Sequence, residues 1–258
     1  MVAPLHEEPA TGPVDGRAIA FFDVDETLIA VKSMFRFLRF YLAGLGRPPV
    51  EYASLRDELL ARGRAGASRA ELTREYYRVY AGHQVAEVAA WGRAWFAAEQ
   101  RAGTFFLPAA LAAFQAHRRR GDLTVLVSGS FSACLDPIAR GLAAGAVIGA
   151  RLEVAGGRYT GELVVPMIGP DKAAAVRAAT RRYGVAAADC HAYGDDASDV
   201  PFLEAVGHPV VVGDDPALAA LAAERDWPRL PGVPRGEPQP QPVPEPEPDG
   251  GARPRAGA

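Results

Sequence analysis

The sequence predicts an α/β fold: a Rossmann-like parallel sheet with helices on both faces and a helical cap inserted after the first strand. Three observations carry this expectation. Short apolar runs recur along the chain, "AIAFF" (18–22), "LTVLVS" (123–128), "CHAYG" (190–194) and "HPVVVG" (208–213), each with the length and composition of a buried strand. Between them lie helical patterns, "LPAALAAFQAHRRR" (107–120), "DKAAAVRAATRRYG" (171–184) and "DVPFLEAVG" (199–207). Strand and helix in alternation give a parallel sheet covered on both sides. The third observation is the break in that alternation over residues 33–103, where four helical stretches succeed one another.

Taken in order, residues 1–16 are acidic and proline-containing, and predict a flexible N-terminus. Residues 17–32 open the core with its first strand. The insertion, 33–103, carries glycines and prolines near its helix ends (Gly44, Gly46, Pro48, Pro49, Gly63, Gly66, Gly82). Its aromatics Phe35, Phe37, Phe40, Trp91, Trp95 and Phe96 are expected to form a core of its own. The core resumes over 104–227. Within it "AVIGARLEVAGGRYTGELV" (146–164) reads as a β-hairpin turning at Gly156-Gly157. From Pro228 to Ala258 the chain holds ten of its 22 prolines and few large apolar side chains. Such a segment cannot bury enough surface to offset the entropy of ordering, and a disordered tail is expected.

Bulk composition narrows the function classes. Of 258 residues 49% are hydrophobic, enough for a sizeable core. The 28 basic and 31 acidic residues give a net charge of −3, which offers no electrostatic case for nucleic acid or an anionic membrane. No apolar run approaches the ~20 residues a membrane span needs, and the N-terminus has no signal-peptide pattern. A cytoplasmic location is expected. Cys134 and Cys190 have neither disulfide-scaffold nor zinc-site spacing and read as reduced core thiols. The five histidines are scattered, without ligand spacing. Oligomeric state is not legible.

In an open α/β sheet, ligands bind beyond the carboxyl ends of the strands, so the residues delivered there matter most. The first strand delivers Asp23 and Asp25, whose side chains share one face of an extended segment. The strand "LTVLVS" delivers Ser128-Gly129-Ser130. The strand "CHAYG" delivers Gly194-Asp195-Asp196, with Ser198 and Asp199 close behind, and Lys172 stands at a helix start after "IGPD". Each signal alone is weak. Their order, with carboxylates, hydroxyl and lysine all at strand ends or helix starts, points to one shared site.

The stretches "DVDETL", "VLVSGS", Lys172 and "GDDASD" resemble the four ordered motifs of the haloacid dehalogenase-like phosphatases, and the helical insertion resembles the cap of their phosphoserine-phosphatase-like branch. The resemblance covers residues 17–227. It implies a Mg²⁺-dependent phosphatase acting on a small phosphorylated metabolite. Asp23 would be the nucleophile, forming an aspartyl-phosphate, and Asp25 the general acid and base. Asp23, Asp195 and the carbonyl of Asp25 would hold Mg²⁺. Ser128, Gly129 and Lys172 would bind phosphate, while Asp199 and Asp196 hold the metal's waters or orient Lys172. A phosphotransferase or mutase, or a non-catalytic regulatory protein on the same fold, remains an open alternative.

The match departs from the family pattern at three places. Glu26 stands where relatives often have a small or neutral residue, and is expected to point away from the site. Ser198 stands where asparagine is common. Lys32 stands where phosphoserine phosphatases carry a glutamate that meets the substrate's amino group. Lys32, with Arg36 one turn on, is therefore expected to favour an acidic or hydroxyl-bearing leaving group.

Overall fold

The computed structural model describes residues 18–233. Strand β1 (Ile19–Phe22) is followed by four helices, α1 (Ser33–Gly44), α2 (Pro49–Arg64), α3 (Arg69–Arg78) and α4 (Val85–Ala102). The chain continues through α5 (Pro108–Arg120), β2 (Leu123–Ser128), α6 (Ser132–Leu142) and β3 (Ala146–Gly149). A hairpin of β4 (Arg151–Ala155) and β5 (Arg158–Val165) precedes α7 (Pro170–Tyr183) and β6 (His191–Gly194). Then come α8 (Val200–Leu203), β7 (His208–Val212), α9 (Pro216–Glu224) and β8 (Arg229–Leu230). Six strands pair in the order β3-β2-β1-β6-β7-β8, every pairing parallel, and β4 and β5 form a separate antiparallel ribbon. No helix among the described residues is long and apolar enough to cross a membrane.

The central strand is apolar at every position because both faces of the sheet are covered. Ala20 and Phe22 point into one core, with Phe114 of α5 and Ile138 of α6. Ile19 and Phe21 point into the other, with Val176 of α7, Phe202 of α8 and Leu218 of α9.

The insertion has no separate core. Phe37, Tyr41, Tyr76, Tyr77, Tyr80, Trp95 and Phe96 belong to the same apolar cluster as Phe22, Leu126 and Phe131. The ring of Phe131, just before α6, lies 4.9 Å from Tyr80 and 5.9 Å from Phe37. Helix α4 crosses α6 so closely that a Cβ at Gly92 would lie 1.8 Å from the carbonyl oxygen of Ala133.

Three further sequence expectations are corrected. The stretch 146–164 is not one hairpin: Ala146–Gly149 is a strand of the main sheet, in register with Val125–Ser128. Only the part after it folds back, at Gly156 and Gly157, both at positive φ. The helix expected over 199–207 is a single turn, since Gly207 packs onto the Ala188 carbonyl as the chain enters β7. The tail does not leave the fold at Pro228. The edge of β7 accepts it, with N–H groups of Val211 and Gly213 donating to the carbonyls of Pro228 and Leu230 at 2.9 Å each. These bonds use backbone alone, so the side-chain pattern does not announce them. The N-terminus expected to be flexible, and the tail from 234 onward, lie outside the described residues.

At the far end of the sheet from the strand tips, the His191 ring lies 4.5 Å from His117 and 4.7 Å from His208. His117 is bonded to Asp122 and to the Tyr193 hydroxyl, each at 2.8 Å. Burial, with the charges of His117, His208 and Arg120 adding, pushes His191 down to about 4.

Two outcomes follow. Gly92→Ala must part α4 from α6, and is expected to lower the urea unfolding free energy by about 1–3 kcal/mol; an unchanged midpoint would mean that the crossing is loose. The unfolded chain takes up a proton at an ordinary histidine pKa of about 6.5, whereas folded His191 does so only near 4. Stability is therefore lost as pH falls from about 6.5 towards 4. His191→Gln should show a smaller drop in melting temperature between pH 7 and pH 5 than the parent protein, and equal drops would contradict the assignment.

Candidate active site

The site is built at the carboxyl ends of three adjacent strands, which stop within two residues of one another. Phe22 of β1 is opposite Leu126 of β2 and Tyr193 of β6. Asp23 is one residue past that level, and Ser128 on one side and Asp195 on the other are each two residues past it. The Asp23 N–H donates to the Tyr193 carbonyl at 2.9 Å, which carries the sheet pairing one residue past β1. Strand order reverses about β1, the place where α/β sheets open a ligand crevice.

Carboxylate oxygens of Asp23, Asp195 and Asp199 lie within 4.8 Å of one another. Lys172 is inserted among them, its Nζ 2.8 Å from Asp23 Oδ1 and 2.7 Å from Asp199 Oδ1. The lysine is only 5% exposed. Burial alone would lower its pKa, but the Asp199 and Asp23 charges outweigh that and hold the ammonium above its ordinary value. The Phe202 ring lies 5.5 Å below it. Asp199 is buried, and its second oxygen, Oδ2, has no hydrogen-bond partner. A Cβ at Gly194 would stand 2.9 Å from that oxygen, so glycine is required there. Asp195 accepts from the Thr27 hydroxyl at 2.8 Å. Burial, then the charges of Asp23 and Asp199, raise it to about 9.

These residues pass a test of fit for a hard divalent cation. All donors are carboxylate oxygens, the type Mg²⁺ prefers. Lys172 cannot balance three carboxylates, and Asp199 Oδ2 is an orphaned buried acceptor beside the cluster. Asp23 and Asp195 are the expected side-chain ligands, and Asp199 joins them in space.

Asp25 is held apart from this cluster. Its Oδ1 accepts from the Ser33 N–H, at the start of α1, at 3.0 Å. Burial raises its pKa to about 6, with a contribution from the Asp23 charge and against the lowering by Ser33. A carboxyl group near 6 exchanges protons readily at neutral pH, as an acid and base must.

The loop after β2 lies on the other side of Asp23. Ser128 Oγ accepts from the Ser130 N–H at 3.1 Å, and Ser130 Oγ meets Ser33 Oγ at 2.9 Å. Helix α6 begins here with no side-chain cap, so its first N–H groups are available to an anion.

Other expected residues fall elsewhere. Arg36 is drawn into the insertion, where it pairs with buried Glu99 at 2.9 Å alongside the Trp95 indole N–H, so it does not face the carboxylates. Asp196 is bonded to Arg69 of α3 at 2.9 Å and caps the Ser198 N–H. Ser198 Oγ accepts from the same Arg69 at 2.7 Å. Lys32 stays at the rim but is bonded at 2.6 Å to Glu26, whose backbone turns sharply at φ 59°. Thr27, Ser33, Arg69 and Tyr77 were not singled out from the sequence. Ser33 and Arg69 begin helices of the insertion, and nothing in their spacing ties them to strand ends.

The chain matches the model of the haloacid dehalogenase-like hydrolase family over residues 20–204. It is 35% identical over 221 residues to a probable phosphatase of Mycobacterium tuberculosis, covering 83% of this chain and 75% of that protein. It is 31% identical over 221 residues to a phosphoserine phosphatase of the same organism, covering 83% and 71%. Among solved structures, a protein of unknown function from Bordetella pertussis superposes with a TM-score of 0.74 at 29% identity, over 83% of this chain and 98% of that one.

Asp195→Asn removes a buried carboxylate charge that burial and the neighbouring Asp23 and Asp199 disfavour, and keeps the acceptor for Thr27. In chelator-treated buffer at pH 7 this variant should melt several degrees above the parent. Millimolar Mg²⁺ should raise the parent's melting temperature and leave the variant's nearly unchanged. Equal Mg²⁺ responses would remove Asp195 from the cation site.

Proposed function

The chain belongs to the haloacid dehalogenase-like hydrolase family, in its phosphoserine-phosphatase-like branch, and on that premise we propose that it is a Mg²⁺-dependent phosphatase of small phosphate monoesters that works through an aspartyl-phosphate. The observation that carries the reading is Lys172 wedged between Asp23 and Asp199 in a buried acidic cluster at the strand ends. Phosphate-monoester hydrolysis is among the slowest uncatalysed reactions, needing up to ~10²¹-fold acceleration, and the residues divide that work.

Asp23 attacks phosphorus with one carboxylate oxygen and becomes the phosphorylated group. The alcohol leaves with a proton from Asp25, whose carboxyl, near 6, is partly protonated at neutral pH. Asp25 then removes a proton from the water that hydrolyses the acyl phosphate, and inorganic phosphate is released. Bound Mg²⁺ would neutralise the repulsion between nucleophile and phosphate, held by Asp23, Asp195 and the Asp25 carbonyl with Asp199 beside them. Ser128 and the Gly129 amide bind phosphoryl oxygens, and Lys172 offsets the charge gathered on the transferring group.

The helical insertion, 33–103, acts in this reading as a lid that closes for phosphoryl transfer and reopens for release. Lys32 and Glu26 together present no net charge at the rim. That supports a hydroxyl-bearing leaving group over an amine-bearing one, in contrast to phosphoserine. A cytoplasmic location is part of the same reading, supported by two buried free thiols.

Purified protein should release inorganic phosphate from a panel of sugar, polyol, nucleotide and amino-acid phosphates only when Mg²⁺ is present, and Asp23→Asn should lower kcat by more than a thousandfold. Equal release by parent and variant would overturn the nucleophile. Release that requires an added alcohol acceptor would make the enzyme a transferase. Lys32→Glu should shift kcat/KM towards amine-bearing esters, and an unshifted ratio would take Lys32 out of the substrate site.

A further inference from the structure

One peptide unit in the loop after β2 is gripped at both ends. Its carbonyl, that of Gly129, accepts from the Tyr77 hydroxyl of α3 at 2.9 Å. Its N–H, that of Ser130, donates to Ser128 Oγ at 3.1 Å. In a planar trans peptide the C=O and N–H point in opposite directions, so fixing the carbonyl fixes where the N–H aims. A hydroxyl has one hydrogen to donate and two lone pairs. With the Ser130 N–H on one lone pair, the Ser128 hydrogen remains available for donation to another acceptor.

Tyr77 is well suited to set that plane. It is fully buried, and its ring is clamped edge-on by Tyr76 at 5.0 Å and Phe131 at 5.3 Å. Burial holds the phenol well above its ordinary pKa, so it remains a donor. The insertion also reaches the loop through Ser33, whose hydroxyl meets Ser130 Oγ and whose N–H meets Asp25.

We propose that Tyr77 is a positioning residue for phosphate: its hydroxyl orients the Gly129–Ser130 peptide, which in turn aims the Ser128 hydroxyl at a phosphoryl oxygen. This rests on the phosphatase reading of the site. Seating α3 against the loop and preparing the loop for phosphate are then the same event. Tyr77 is a cap residue that touches neither substrate nor nucleophile, yet sets the affinity for the group being transferred.

The test is equilibrium binding of inorganic phosphate, by titration calorimetry with Mg²⁺ present, in a double-mutant cycle of Tyr77→Phe and Ser128→Ala. One hydrogen bond of ordinary strength corresponds to about a three- to tenfold change in affinity. Tyr77→Phe should weaken phosphate by that factor in the parent and add nothing in the Ser128→Ala background. Tyr76→Phe is the control for packing alone. Its hydroxyl is equally buried, bonded to the Met34 carbonyl and to Tyr80 rather than to the loop, and its loss should leave phosphate affinity unchanged. The Ser130 amide resonance should move in Tyr77→Phe and stay in Tyr76→Phe, a readout independent of binding and turnover. Equal weakening in both backgrounds, no weakening, or an equal effect of Tyr76→Phe would overturn the proposal while leaving the phosphatase reading intact. A parent protein that neither binds phosphate nor releases it from any ester would overturn that reading, and this proposal with it.

Discussion

Three carboxylates share a space that is largely closed to water, and the arrangement depends on positive charge being brought to them. At the 4.8 Å that bounds their oxygens, each like-charged pair costs about 3–4 kcal/mol at an effective dielectric near 20. Lys172 meets two of the three. Its own burial is tolerable only because both partners are in hydrogen-bond contact. The surrounding structure is arranged to keep it there. Gly169, at φ 52°, turns the chain into α7, Phe202 supports the ammonium from below, and Gly194 leaves room for Asp199. The charge still unbalanced is what a divalent cation and a phosphate would bring to equilibrium between them.

The same economy extends to the insertion. An insertion with its own core would be joined to the sheet through its linkers alone, but this one shares an aromatic cluster with the strands beneath it. Phe131 is central to that sharing, since it ends the loop after β2, precedes α6 and packs against Tyr77 and Tyr80. Opening the insertion therefore exposes apolar surface and releases hydroxyl contacts from Ser33 and Tyr77 together. Arg69 adds a polar latch to Asp196 and Ser198 at the rim, where water weakens it and motion is easiest.

Legibility in the sequence followed the range of the interactions. Strands β2 and β7 were readable nearly to the residue because apolar runs bounded by polar residues are local signals. Strands β3 and β8 were not, because four and two residues carry no period and their partners come from distant parts of the chain. Helix α6 is obscured by Pro137 within it. In the site, Asp23, Asp25, Ser128, Lys172, Asp195 and Asp199 could be collected because strand ends are predictable places. The pairing of Arg36 was not legible, because an arginine in a helical pattern gives no sign that Glu99, 63 residues on, lies buried beside it. The Asp196–Arg69 pair was illegible for the same reason, since the two are 127 residues apart.

The sequence by itself determined the layered architecture, the position of the insertion and the chemical identity of the groups at the strand tips. Each of these depends on a residue's near neighbours, through periodicity, turn chemistry and the direction in which a strand points its last side chain. Only the tertiary structure decided which charges meet. It gave Lys172 to Asp23 and Asp199, Arg36 to Glu99, Lys32 to Glu26 and the Gly129 carbonyl to Tyr77, because a pairing between distant segments is fixed by how helices and sheet close around a common core.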